Sequence, residues 1–166
     1  MAALAAVAIS LVTAACGGNR PQPPQAQRPA AQPAARIFPA SANGCTRQPP
    51  VSPLPVWARS GFTPPDTAMP HVTGAAGNIV AILWATRNAL HAPALSKWDN
   101  KILWLSRLSS GPMTIRATLA GSTRTATADL PDGPGPSYLD MPAPGCWMLH
   151  LSWGGHTDQL SLRYVR

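Results

Sequence analysis

The most regular alternation of apolar and polar positions lies near the C-terminus, at residues 144–164, P-G-C-W-M-L-H-L-S-W-G-G-H-T-D-Q-L-S-L-R-Y. Large apolar residues occupy every second position from Trp147 to Trp153, and the alternation resumes from Leu160 to Tyr164. A period of two is typical of strands with one buried face. Gly154 and Gly155 stand between the two runs and supply a tight turn. The stretch therefore predicts a β-hairpin.

The middle of the chain repeats this pattern of strands and turns. Residues 78–86, N-I-V-A-I-L-W-A-T, form a continuous apolar, β-branched run that is typical of a central strand buried on both faces. A helix over 82–90 is the alternative, although the run has no capping residues. We expect regular structure to begin at Gly77. Further strands are predicted at 54–58, 101–107, 112–120, 123–130 and 138–141, with Met113, Ile115, Ala117 and Leu119 facing inward.

These runs give about seven strands, separated by turn signals and without a convincing amphipathic helix. They predict an all-β fold, and more closely an antiparallel β-sandwich of immunoglobulin-like type. A small barrel is the alternative architecture. Before the sandwich, residues 45–70 are rich in proline, and we expect Trp57 and Phe62 to pack this lead-in onto the domain edge.

The N-terminal 44 residues differ in composition from the rest. Residues 1–15 are apolar and rich in alanine, a run shorter than the ~20 residues that span a bilayer as a helix, which favours a signal peptide. Residues 12–17, V-T-A-A-C-G, resemble the lipobox of bacterial lipoproteins, which implies lipidation (palmitate) at Cys16 and cleavage before it. A cytosolic protein with an apolar N-terminus is the alternative. Residues 16–44 are rich in Pro, Ala and Gln, and predict a disordered tether before a domain at 45–166.

Charge and cysteine content indicate which partners the protein attracts and whether it forms a disulfide. The chain carries 13 Lys plus Arg against six Asp, with no Glu, and the basic residues are dispersed. A dispersed excess favours attraction to lipid head groups or wall polymers over a shaped nucleic-acid site, so no nucleic-acid partner is expected. In an exported protein, an isolated cysteine pair is typical of a disulfide, which predicts a Cys45–Cys146 bridge; two separate buried thiols are the alternative.

Candidate binding residues lie in the loop predicted over 87–100, because long loops on a rigid scaffold often carry binding sites. Trp98 follows no periodic face and is flanked by Lys97, with His91 nearby in the same loop. An exposed Trp beside charges can anchor a protein or stack on a sugar. Burial of Trp98 against the sandwich edge is the alternative.

A copper site is the competing hypothesis. Met148 and His150 are two apart on a predicted strand and share a face, and thioether plus imidazole suits Cu(I). His156, or His91, could add a third ligand. Enzymatic motifs are missing from the sequence: it contains no G-x-S-x-G, no Gly-rich phosphate loop and no paired carboxylate motif. We therefore expect a protein that is not an enzyme and has no cofactor, with copper as the alternative.

Four segments carry a family resemblance: W-A-R-S-G-F-T-P-P-D-T-A-M-P-H-V, G-N-I-V-A-I-L-W-A-T-R, N-K-I-L-W-L-S-R and P-G-C-W-M-L-H-L-S-W-G-G-H-T-D. Together they resemble small lipoproteins of actinobacteria, mycobacteria included, over residues 51–166. The resemblance implies an exported lipoprotein and brings no catalytic residues with it. We expect a non-enzymatic binding or structural module of the cell envelope, held by its lipid on the extracytoplasmic side of the cell membrane.

Overall fold

Two five-stranded sheets build the domain in the computed structural model, which describes residues 45, 48–64, 67–85 and 89–166. The predicted signal peptide, Cys16 and the predicted tether lie outside the described residues. Among the residues that are described, no helix has the length and apolar character needed to cross a membrane.

The strands of the described part of the chain number ten, and a 3-10 turn lies between the first two. They are β1 (Val51–Pro53), the 3-10 turn (Val56–Ala58), β2 (Ala68–Thr73), β3 (Ile79–Leu83), β4 (Leu90–His91), β5 (Lys101–Ser106), β6 (Met113–Leu119), β7 (Thr125–Leu130), β8 (Pro136–Tyr138), β9 (Gly145–Trp153) and β10 (His156–Val165).

The first sheet has the strand order β1-β2-β3-β5-β8, and the second has the order β4-β10-β9-β6-β7. Every pairing is antiparallel except that of β4 with β10, which is parallel. The all-β prediction is confirmed, and so is the terminal hairpin, in which His156 pairs with Trp153 across the Gly154-Gly155 turn. The structure has ten strands where the sequence predicted about seven.

The main core lies between the two sheets and contains the inward residues predicted for β6. Met113, Ile115 and Ala117 are buried, and Leu119 is partly buried against them. The alternating residues of β9 and β10 fill the centre of this core, with the largest side chains supplied by Trp104, Trp147, Trp153 and Tyr164.

A second, smaller core lies on the outer face of the first sheet. Leu54 and Ala58 from the lead-in pack against Val80 and Ile82 of β3, and Trp57 and Phe62 lie beside them. Because the lead-in covers one face of β3 and the second sheet covers the other, all five residues of β3 are buried. The predictions of a doubly buried central strand and of a lead-in packed on the domain are confirmed.

Three predicted boundaries differ from the structure. The strand predicted at 54–58 is a 3-10 turn, because Pro53 and Pro55 lack the N–H groups that a strand interior needs. Regular structure begins with β1 and β2, ahead of Gly77. In addition, the strand predicted at 138–141 lies at 136–138.

The predicted disulfide between Cys45 and Cys146 is confirmed, with 5.5 Å between the two Cα atoms. Cys45 precedes the first strand, whereas Cys146 is the second residue of β9. The bridge therefore ties the lead-in to the terminal hairpin across a sequence separation of 101 residues.

Candidate binding surface

The β4–β5 loop, residues 92–100, is fixed at its base by buried polar groups. His91 Nδ1 lies 3.0 Å from Asp99 Oδ2, and both side chains are almost completely buried. The same Asp99 oxygen accepts a hydrogen bond from the backbone N–H of Leu95 at 3.0 Å. Since Asp99 contacts both the start of the loop and its middle, it holds the loop in one conformation.

Asn100 closes the loop. Its backbone has a φ of 56°, a left-handed conformation that asparagine tolerates better than most residues. Its amide Nδ2 donates to the carbonyl of His91 at 2.8 Å and to Asp140 Oδ1 at 2.7 Å, while its Oδ1 accepts the backbone N–H of His91 at 2.7 Å. The side chain is completely buried, so these bonds are shielded from water.

Trp98 projects from this fixed loop and is 63% exposed. Its backbone N–H donates to Ser96 Oγ at 3.2 Å, and Lys97 Nζ lies 4.7 Å from the centre of its ring. A single exposed apolar side chain is common on protein surfaces, whereas a contiguous patch is typical of a contact surface, so the neighbours of Trp98 decide its significance.

Three side chains at one end of the first sheet extend this surface. The ring centre of Tyr138 lies 5.8 Å from that of Trp98, with a tilt of 59° between the planes. Lys101 is the partner of Tyr138 across β5 and β8. On the other side of Lys101, the backbone N–H of Trp84 donates to the Lys101 carbonyl, and Lys101 Nζ lies 5.1 Å from the Trp84 ring centre.

We call the five residues Trp84, Lys101, Tyr138, Trp98 and Lys97 the aromatic strip. Trp84 and Tyr138 are each 42% exposed, so all three rings are open to solvent. The strip crosses the ends of three neighbouring strands, which are spaced about 4.8 Å apart in a sheet. One ammonium group lies beside the ring at each end of the strip, Lys101 beside Trp84 and Lys97 beside Trp98, and neither lysine forms a salt bridge with a carboxylate of the described residues.

Of the three predicted binding residues, Trp98 and Lys97 lie in the aromatic strip. His91 is only 7% exposed, and it contacts Asp99 at the base of the loop instead of lining the surface. Trp84, Lys101 and Tyr138 were not predicted from the sequence. The one local signal was position, since Lys101 directly follows the predicted loop and Trp84 lies three residues before it.

The candidate copper ligands Met148, His150 and His156 do not lie together as a three-ligand site. Met148 and His150 share the outer face of β9, where His150 is exposed beside Arg116 of β6. His156 pairs with Trp153 at the far end of β9, and its ring lies 5.9 Å from the Trp153 ring. Within the described residues there is no group of three or more His, Cys, Asp or Glu suited to holding a metal ion.

His156 instead meets Ser109, whose Oγ lies 2.9 Å from Nε2 of the imidazole. A serine–histidine pair needs a third group to orient the base. Asp158 is close in sequence, but its carboxylate accepts the backbone N–H groups of Ala76, Asn78 and Gln159. No hydrogen bond joins Asp158 to His156 in the described part of the chain, so the three residues do not form a triad.

Asp158 has a structural role at this end of the sandwich. It is buried on β10 of the second sheet, and it binds the turn between β2 and β3 of the first sheet. Gly74 begins that turn, and a Cβ at this position would overlap the Asp158 carboxylate. The two sheets are therefore joined here by hydrogen bonds to one carboxylate.

Comparison with known proteins found no matching family model, no matching curated sequence and no matching solved structure.

Proposed function

We propose that this chain is a lipid-anchored envelope protein, held by Cys16 on the extracytoplasmic side of the cell membrane, which binds a partner through the aromatic strip. The observation that carries the proposal is the exposure of Trp98 on a loop fixed by the buried His91, Asp99 and Asn100. A pre-formed loop lowers the entropy lost when a ligand binds. Exposed aromatic side chains are the residues that most often dominate binding energy.

A non-enzymatic role agrees with the geometry. The strip contains rings and ammonium groups but no nucleophile paired with a base. The serine–histidine contact of Ser109 lies at the opposite end of the strands, beside the β9–β10 turn. We therefore place binding at the strip and assign no reaction to the protein.

The finer architecture we propose is immunoglobulin-like, and the strand order supports it. In the chain order of such domains, β3, β5 and β8 correspond to strands A, B and E of one sheet, and β10, β9, β6 and β7 to G, F, C and C′ of the other. The domain departs from that pattern at the edges, where β1, β2 and β4 are additions. Its disulfide joins the lead-in to β9, whereas antibody domains bridge strands B and F.

The binding proposal is tested by affinity capture from an envelope extract with the full-length protein as bait. Wild-type protein should retain a specific component, Trp98→Ala should lose it, and Trp98→Phe should retain part of it because the aromatic face remains. Arg116→Gln, an exposed change on the opposite sheet, is the control and should behave like the wild type. Identical retention by the wild type and Trp98→Ala would refute the proposed site.

The anchoring proposal has a separate test. Cells expressing the wild type and Cys16→Ser are labelled with radioactive palmitate and fractionated. The wild type should carry label and remain with membranes, whereas Cys16→Ser should carry none. Equal labelling of both proteins would contradict the lipidation site.

Copper binding is the competing proposal, supported by the shared outer face of Met148 and His150. Cu(I) that binds the native state must raise the melting temperature. We expect an unchanged melting temperature in excess Cu(I), and a rise that Met148→Leu abolishes would favour the copper role instead.

A further inference from the structure

We infer that the ligand of the aromatic strip is a linear anionic glycan, a polysaccharide that carries carboxylate or phosphate groups. The inference rests on the proposed function and names its ligand class. It is drawn from three observations: the row of exposed rings, the ammonium groups held beside two of them, and the net charge of the chain.

The shape of the strip favours an extended ligand. Trp84, directly after β3, is followed across the sheet by Lys101 of β5 and Tyr138 of β8, and Trp98 continues the row from Tyr138. These positions are not sequential along the chain, so the row runs across the strands. A chain of sugar rings can follow such a row, with C–H faces against the aromatic faces, as in other aromatic recognition surfaces.

The cations select for negative charge. Lys97 Nζ lies over the Trp98 ring and Lys101 Nζ lies over the Trp84 ring, so each ammonium is held close to an aromatic face. A sugar stacked on either ring would therefore place its substituents beside an ammonium group. The chain as a whole has a net charge of +7, which attracts polyanions at long range.

Carboxylates near the strip are already engaged. Asp99 is buried and contacts His91, and the Asp140 carboxylate accepts a hydrogen bond from Asn100. Neither Lys97 nor Lys101 lies within salt-bridge distance of a carboxylate of the described residues, which leaves both ammonium groups available to an anionic ligand. An anionic membrane surface would also attract the two lysines, and the vesicle arm of the titration below separates lipid head groups from soluble glycans. A chain of sugar rings can contact Trp84, Tyr138 and Trp98 in turn, which favours the polymer.

The test is calorimetric titration of the full-length protein with four probes. These are tetragalacturonate, an oligosaccharide phosphate of similar length, neutral maltotetraose, and vesicles of phosphatidylglycerol. We expect one of the two anionic oligosaccharides to bind, more weakly as the salt concentration rises. Maltotetraose should bind about tenfold more weakly or not at all, because it cannot engage the ammonium groups.

Matched variants locate the site. Lys97→Gln and Lys101→Gln together, and Trp98→Ala alone, should each weaken binding about tenfold or more. Arg116→Gln removes one positive charge from the opposite sheet and should change affinity less than twofold, since it leaves the strip intact. Thermal melting of each variant verifies that the fold is retained.

Four outcomes would overturn the inference. They are binding of neither anionic oligosaccharide, equal binding of neutral and anionic oligosaccharides, binding to vesicles without binding to soluble glycans, and equal losses in Arg116→Gln and in the double lysine variant. If no glycan binds but the envelope capture still depends on Trp98, the ligand class is wrong and the binding surface stands. If neither depends on Trp98, both proposals are wrong.

Discussion

Asn100 and His91 exchange two hydrogen bonds, one in each direction, at the base of the loop that carries Trp98. The pair is buried, and it sets the direction in which the loop leaves the sandwich. The exposed strip therefore depends on polar groups that the ligand does not touch.

The first prediction concerns Asn100. Replacing it with Gly keeps the left-handed backbone accessible but removes three hydrogen bonds, and should lower the free energy of unfolding by about 1–3 kcal/mol. Replacing it with Ala should cost a further ~1 kcal/mol, since Ala disfavours a φ of 56°. Urea denaturation measures both values. Equal stability of the two variants would show that the backbone conformation does not matter.

The second prediction couples Asp158 with Gly74. Asp158→Ala leaves the N–H groups of Ala76 and Asn78 without their partner and should destabilise the protein by about 1–3 kcal/mol. Gly74→Ala should destabilise the wild type through overlap with the Asp158 carboxylate. On the Asp158→Ala background the same change should cost much less, and a double-mutant cycle measures the difference. Strictly additive effects would contradict the proposed contact.

The third prediction is a dependence on alkaline pH. Burial, together with the negative charge of Asp140, raises the pKa of Tyr164 above its ordinary value. The unfolded chain then loses this proton first, so the contribution of Tyr164 to stability is constant below about pH 10 and falls as the pH rises further. Tyr164→Phe should show a shallower fall.

The same variant should be less stable at neutral pH by about 1 kcal/mol, because it loses the hydrogen bond from the Tyr164 hydroxyl to the Leu139 carbonyl. Denaturation midpoints at pH 7 measure the loss of this hydrogen bond, and midpoints above pH 10 measure the difference in pH dependence. Parallel pH profiles for the two proteins would contradict the assignment to Tyr164.

The fourth prediction concerns the disulfide. The bridge closes a loop of about a hundred residues, which the chain-entropy treatment values at roughly 4–5 kcal/mol. The double variant Cys45→Ser/Cys146→Ser should lose most of this free energy of unfolding while retaining β-sheet circular dichroism at low temperature. A loss below ~1 kcal/mol would mean that the lead-in is held by the second core alone.

The sequence was most informative where partners are adjacent along the chain. The terminal hairpin follows from alternation on both sides of Gly154 and Gly155, and neighbouring strands must pair if both bury one face. The doubly buried β3 was equally clear from its apolar run. By contrast, β2 was missed because A-M-P-H-V-T contains Pro70 and lacks alternation.

The candidate site could be predicted only in part, for a topological reason. Trp98 and Lys97 were found because they share one loop. Tyr138 reaches them because β8 pairs with β5, and no local pattern states which distant strands pair. His91 was assigned to the loop predicted over 87–100 because that segment is punctuated by polar residues and proline, whereas in the structure it lies in β4 and is buried next to Asp99.

The most direct test of the account is photo-crosslinking in intact cells from a photoreactive side chain at position 95, beside the aromatic strip, where Leu95 is exposed. Position 127 on β7, where Thr127 is exposed, is the control on the other sheet. We expect a specific adduct from position 95, none from position 127, and loss of the adduct when Trp98→Ala is added. An adduct that persists with Trp98→Ala, or forms equally from position 127, would contradict binding at the aromatic strip.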